Sequence, residues 1–182
     1  MTLYRDGQFV DDEWTRLNDD DALPDGGKVV LTKARLVAER EALRGRNAPL
    51  GLVLASGETL DEIEDEIGRL SLVVLDIPRY ADGRLYSIAR LLRERHGFAG
   101  EIRAAGDVLR DQIMFLHRVG VDSFEVTHPG TIEALRRGEI VAARNHMQAA
   151  AREAEEEKPG VRPSDRSWRR VTPPGAAPGV GS

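Results

Sequence analysis

Apolar positions along this chain fall into short unbroken runs separated by stretches of helical spacing, the alternation expected of βαβ units around a parallel sheet. Lys28-Val29-Val30-Leu31, Leu50-Gly51-Leu52-Val53-Leu54 and Leu70-Ser71-Leu72-Val73-Val74-Leu75 read as strands, with two more at 101–105 and at Phe124-Glu125-Val126. The third run shows no in–out alternation, as a strand covered on both faces should not. Thr32 is placed to cap a helix near 33–44. Leu60, Ile63 and Ile67 share one face of a predicted second helix. Leu85, Ile88, Leu91 and Leu92 mark a third helix that stops at His96-Gly97, and Leu109, Ile113 and Leu116 a fourth closed by Gly120.

The flanks differ from this centre. Leu3-Tyr4 and Phe9-Val10 on either side of Asp6-Gly7 predict a tight hairpin, an arm that Trp14 anchors to the main body. The acidic run 18–21 and Pro24-Asp25-Gly26-Gly27 read as an exposed loop. A helical stretch over 131–137 is interrupted by Gly138, and a longer one runs on to Glu155-Glu156-Glu157. Beyond Lys158 the chain is rich in Pro, Gly and Arg and too poor in apolar surface to offset the entropy of ordering, so 158–182 reads as a flexible tail in which Trp168 is the one residue able to dock. The expectation is a single α/β domain of about five mainly parallel strands over 28–157, with an arm and loop over 1–27. Its sheet is either flavodoxin-like and receiver-like or part of a barrel.

Composition narrows the chemistry. The chain has 182 residues and no cysteine, so it supplies no disulfide, thiol nucleophile, thiolate zinc site or cysteine-held iron–sulfur cluster. With 26 Lys+Arg against 31 Asp+Glu, the formal charge of −5 argues against a general nucleic-acid coat protein. The absence of a long apolar run and of a signal-like amino terminus leads to the expectation of a cytoplasmic protein without a membrane span.

In open α/β sheets ligands bind beyond the carboxyl ends of the strands. The densest chemistry there is Asp76-Ile77-Pro78-Arg79-Tyr80-Ala81-Asp82-Gly83-Arg84, which gathers carboxylates, arginines and a phenol in one loop. Arginine forks suit small oxyanions. Arg79, Arg84, Arg103 and Arg110 are therefore the candidate substrate-binding residues, and Asp82 and Asp107 the candidate acids or bases. The alternatives are structural. Asp82-Gly83 is a turn, Asp107 caps the following helix, and Arg103, inside an apolar strand, pairs with Asp76 or Asp107 because an unpaired charge there is costly. Asp111 lies four residues after Asp107, a spacing that puts both carboxylates on one helical face. Histidines 96, 117, 128 and 146 form no ligand motif, and no metal site is expected. No phosphate-loop or dinucleotide fingerprint is present, so no cofactor is specified. The phosphoacceptor reading of Asp76 fails for want of an acidic pair after Leu31 and of a lysine after Val126.

Residues 77–126 carry a longer pattern: Pro78-Arg79-Tyr80-Ala81-Asp82-Gly83-Arg84-Leu85-Tyr86-Ser87, then Ala89-Arg90-Leu91-Leu92-Arg93, then Gly106-Asp107-Val108-Leu109-Arg110-Asp111-Gln112, then an ending at Ser123-Phe124-Glu125. This resembles the bacterial domain of unknown function 934 family, over roughly 1–127 if the arm is included. The chain departs from the family pattern at Val121, where an aromatic is usual, and at Val119, where a cysteine is; no thiol role transfers to it. The resemblance implies a small cytoplasmic protein of assimilatory sulfite reduction. A chain without cysteine is not the catalytic reductase subunit. It implies instead an accessory protein that binds sulfite reductase. The alternatives are an enzyme acting on a small oxyanion at the Arg/Asp loop, or a receiver-like interaction module without catalysis.

Overall fold

Six parallel strands lie side by side in the order in which they occur along the chain, and an antiparallel hairpin completes the sheet at one edge. The computed structural model describes residues 2–77 and 83–139. Its strands are β1 (Thr2–Arg5), β2 (Gln8–Val10), β3 (Trp14–Arg16), β4 (Lys28–Thr32), β5 (Leu50–Leu54), β6 (Leu72–Ile77), β7 (Glu101–Gly106) and β8 (Ser123–Val126). They form one eight-stranded sheet in the order β2-β1-β8-β7-β6-β5-β4-β3. Helices α1 (Lys33–Ala38), α2 (Arg40–Leu43), α3 (Arg84–Glu94), α4 (Arg110–Arg118) and α5 (Pro129–Arg136) follow β4, β6, β7 and β8, and a 3-10 turn over Glu64–Arg69 links β5 to β6.

Right-handed crossovers that always step in one direction place every helix on the same face of the sheet. The buried clusters show this. Leu36, Ile67, Leu85, Leu92, Ile113 and Leu135 pack with alternate strand residues such as Leu31, Leu52, Val73 and Ile102. The opposite face carries a separate cluster of Val30, Leu72, Val74 and Ala105, joined by Trp14 and Val53. Such one-sided winding departs from the flavodoxin-like alternative, which covers both faces, and gives the partial barrel.

The chain itself proves the curl. β2 and β3 lie at opposite edges of the sheet, yet only Asp11-Asp12-Glu13 separate Val10 from Trp14. Four residue steps span at most about 14 Å, whereas eight flat strands would hold their edges about 34 Å apart. The sheet therefore bends back until its edges nearly meet, with the second cluster as its interior filling.

The arm is less peripheral than its sequence suggests. Asp6 and Gly7 both take positive φ, 50° and 83°, as a two-residue hairpin loop of matching twist requires. β1 then pairs antiparallel with β8, and β3 pairs in parallel with β4. Trp14 lies inside the curl, where Gly51 makes room for it. A Cβ on Gly51 would stand 3.2 Å from the Trp14 ring, 3.1 Å from Val30 and 3.3 Å from Leu72. Gly51→Val is expected to overpack this filling and cost about 1–3 kcal/mol, read as a lower urea midpoint; an unchanged midpoint would mean that the interior is loosely filled.

Two elements differ from the sequence reading. Residues 60–67 form no α-helix, because Glu62 takes a left-handed φ of 71° that interrupts the spiral. Successive bonds from Ile63 N to Leu60 O, Glu66 N to Ile63 O and Leu70 N to Ile67 O replace it and still bury Leu60, Ile63 and Ile67. The helix near 33–44 is two short ones, broken at Glu39, although Thr32 does cap the first by accepting from Arg35 N. The helical stretch expected toward Glu155-Glu156-Glu157 and the tail over 158–182 lie outside the described residues. No described helix is long and apolar enough to cross a membrane.

Candidate functional site

The parallel strands give the molecule two chemically different ends. At the amino ends, ion pairs converge on the concave face. Arg103, the third residue of β7 and 1% exposed, reaches Asp12 at 2.9 Å, Glu101 at 2.9 Å and Glu125 at 3.3 Å. Arg16, from β3 at the far edge of the sheet, donates from one Nη to both oxygens of Glu125, at 2.6 and 2.7 Å. Arg5 lies 3.4 Å from Glu101, which also accepts from Ser123 Oγ at 2.5 Å. Three arginines and three carboxylates thus neutralise one another. Burial alone pulls the Arg103 guanidinium down, but Glu101 and Asp12 outweigh it and hold its pKa above the ordinary arginine range. The expected pairing of Arg103 with Asp76 or Asp107 is corrected. Its partners come from β7 itself, from β8 and from the segment that closes the curl, while Asp107 stands beyond the other end of its strand.

Arg93, on α3, holds the same end from outside. It donates to the carbonyls of Gly120 at 3.1 Å and Gly100 at 2.9 Å, donates to Phe98 O, and pairs with Asp122. Asp122 in turn accepts from Ile102 N at 2.7 Å. These arginines, apart from Arg103, are residues that sequence reasoning passed over as functional or structural anchors.

The carboxyl ends carry the candidate site. β6 and β7 are drawn together where Asp107 N donates to Ile77 O at 2.8 Å. Gly106 has φ +92°, and a Cβ there would lie 2.2 Å from Ile77 O and 3.1 Å from an Asp76 carboxylate oxygen. Only glycine lets the two backbones approach this closely. Asp76 is half-buried beside that contact and Asp107 is exposed. Asp107 does not cap α4. That helix begins at Arg110 with Leu109 as its N-cap, and Gln112 Oε1 accepts from Leu109 N at 3.0 Å. Gly106 to Leu109 are not helical, so Asp107 and Asp111 share no helical face.

Arg84 opens α3 at the same end, exposed, with Gly83 as an N-cap that supplies no side-chain bond. Arg110 lies 3.3 Å from Glu139. Tyr86, one turn into α3, has its phenol pushed above the usual range by burial and then by the charge of Asp111. The structure thus brings Arg84, Asp107 and Arg110 to one rim and sets Arg103 apart from it. Arg79 and Asp82 lie outside the described residues. His128 caps α5, its Nδ1 accepting from Thr131 N at 3.3 Å. Among the described residues no group of three or more His, Cys, Asp or Glu is arranged to hold a metal ion.

A cationic side chain at the amino end of an eleven-residue helix adds to the partial positive charge of the helix terminus. Asp76 and Asp107 lie on the neighbouring strand ends, so the rim sets carboxylates close to a cationic helix start. Residues 51–157 match the family model described as bacterial protein of unknown function, DUF934. No curated protein matches the sequence.

Proposed function

The chain belongs to the DUF934 family of bacterial proteins, and on that premise we propose that it is a cytoplasmic accessory protein of assimilatory sulfite reduction that binds a small oxyanion at the carboxyl-end rim and assists the reductase. One observation carries the binding part. Arg103 is committed to carboxylates at the amino end, whereas Arg84 stands exposed at the start of α3, at the carboxyl ends of the strands, where the helix terminus adds its partial positive charge. Arg110, paired with Glu139, lies at the same rim. The chain contributes no cysteine-held cluster, so it is not the cluster-bearing subunit that it would assist. The link to sulfite reduction rests on the resemblance of residues 77–126.

A reading as an interaction module without a ligand is favoured by Phe115, an outward-facing aromatic on α4 that is 49% exposed. A reading as an enzyme rests on Asp107 and Asp82 as acid and base beside the same anion. Titration calorimetry with sulfite and sulfate separates the three. The binding reading expects a measurable affinity that Arg84→Ala weakens tenfold or more, the size of one lost charge-assisted bond. No binding by the unaltered protein overturns it in favour of the module. Turnover that disappears in Asp107→Asn establishes the enzyme. The pathway is tested by growth of a deletion strain: failure on sulfate and sulfite with rescue by sulfide is expected, and normal growth on all three overturns the assignment.

A further inference from the structure

We infer that a second ligand site lies at the opposite end of the molecule from the oxyanion rim, in a cleft between α4 and the amino-terminal hairpin that takes a small aromatic amine. The cleft holds about 320 Å³, and Tyr4, Phe124, Ile113 and Met114 give it an apolar floor. Its carboxylates are Asp6 and Asp122, with the imidazole of His117 on the same wall. The topology accounts for the place. β1 pairs antiparallel with β8, Arg5 against Ser123, so the hairpin turn sits beside the amino end of β8, to which α4 returns the chain. Tyr4 and Phe124 are cross-strand partners on the helix-covered face.

Tyr4 is the first sign of an occupant. It is 4% exposed, and among the described residues its hydroxyl has no hydrogen-bond partner. Buried polar groups are nearly always hydrogen-bonded. A phenylalanine would make the same edge-on contact with Phe9, 5.2 Å between ring centroids, without leaving a hydroxyl unmatched. That hydroxyl is therefore left to whatever fills the cleft. Burial holds the phenol above its usual range, so it stays neutral, able to donate or accept. Charge is the second sign. Asp122 is paired with Arg93. Asp6 has only Arg5 among the described cations, 3.9 Å away, with the side chains 75% and 44% exposed, a contact that contributes little. One carboxylate is thus open to an ammonium, and the rings of Tyr4 and Phe124 favour a cation and a flat partner over an anion. The volume is at the small end of ligand clefts, about 300–1,000 Å³, which suits a single ring with a short chain. The two ends of the molecule would then select ligands of opposite charge.

The test is a titration of the full chain, followed by nuclear magnetic resonance, with phenylethylamine, and with phenylethanol and phenylacetate as neutral and anionic probes of similar shape. Saturable shifts at Tyr4, Ile113 and Met114 are expected, with the amine bound about tenfold more tightly than the alcohol, the size of one charge-assisted bond, and the acid not bound. Tyr4→Phe should weaken the amine about fivefold, the size of one neutral hydrogen bond, and Asp6→Asn should bring it to the level of the alcohol. Both variants keep the fold: the first removes only an unpartnered hydroxyl, and asparagine tolerates the positive φ of 50° at Asp6 in a hairpin turn. Three results overturn the inference. Shifts with no probe would leave the cleft to solvent or to another part of the chain. Equal affinity for amine and alcohol would make it an unselective apolar hollow. Undiminished binding in Tyr4→Phe would take the hydroxyl out of the site.

Discussion

Replacing Arg103 by methionine is expected to lower the free energy of unfolding by about 3–5 kcal/mol, the usual cost of removing one partner from a buried ionic cluster. Among the described residues Arg103 alone is paired with Asp12, Glu101 and Glu125 together. Without it Glu125, 1% exposed, keeps Arg16 alone among the described cations, and Asp12 loses its hold on the face that it crosses. Domains of this size are stable by about 5–15 kcal/mol, so the variant should lose a large share of its stability and unfold at a clearly lower urea concentration. Arg5→Met is the internal control. Arg5 meets the same Glu101 but is 44% exposed, and exposed pairs contribute about 0–1 kcal/mol. Urea unfolding of both variants reads the contrast. If Arg103→Met costs no more than Arg5→Met, the cluster is a surface decoration and something else holds the edges of the sheet together.

Gly106→Ala is expected to cost about 2–4 kcal/mol. An alanine at φ +92° carries about 1–3 kcal/mol of backbone strain, and its Cβ would meet Ile77 O at 2.2 Å, which forces the strand ends apart and loosens the bond from Asp107 N, worth about 1 kcal/mol. Gly97→Ala separates the two causes. Gly97 also has positive φ, 59°, but its Cβ would meet nothing within 4 Å. The difference between the two midpoints measures the close approach alone, and equal midpoints would show that it carries no energy. Because Gly106 sets the spacing of Asp76 and Asp107, the same variant should weaken any anion binding at the rim more than Gly97→Ala does.

Particular residues show how far the sequence could be read. The apolar runs of β4 to β8 were legible because strands covered on both faces leave no polar alternation to confuse with a surface helix. The hairpin was legible because Asp-Gly suits a two-residue loop. β3 was not: Trp14-Thr15-Arg16 is short and mostly polar, and nothing local says that it joins a parallel neighbour fourteen residues on. Leu60, Ile63 and Ile67 were placed correctly in the core but on the wrong kind of turn, since that spacing serves a chain of i to i+3 bonds as well as an α-helix. Arg103 announced its need for a partner. Its partner Asp12 in the closing segment lies 91 residues away, and Arg16 on β3 lies 109 residues from Glu125, separations that no local pattern encodes. The rim was half legible. Arg84 and Asp107 are where strand ends should put them, whereas the capping role belonged to Gln112 and not to Asp107. Much of the family-like pattern turns out to serve the fold: Leu85, Arg93, Gly106 and Gln112 are all accounted for by packing, bonding or backbone geometry.

The pairing of β1 with β8 has a consequence for biosynthesis. Thr2–Arg5 leave the ribosome about 120 residues ahead of their partners at Ser123–Val126. Strands β4 to β7 can dock one by one as they appear, each beside the last. The hairpin must wait, its apolar side unprotected, and the newly made β8 presents an unpaired edge until the hairpin returns. Closure is thus a late, long-range event and the step most open to competition from a neighbouring chain. A fusion partner or a trimmed amino terminus intervenes in that final step, and the symptom to look for is aggregation during expression rather than loss of a peripheral arm.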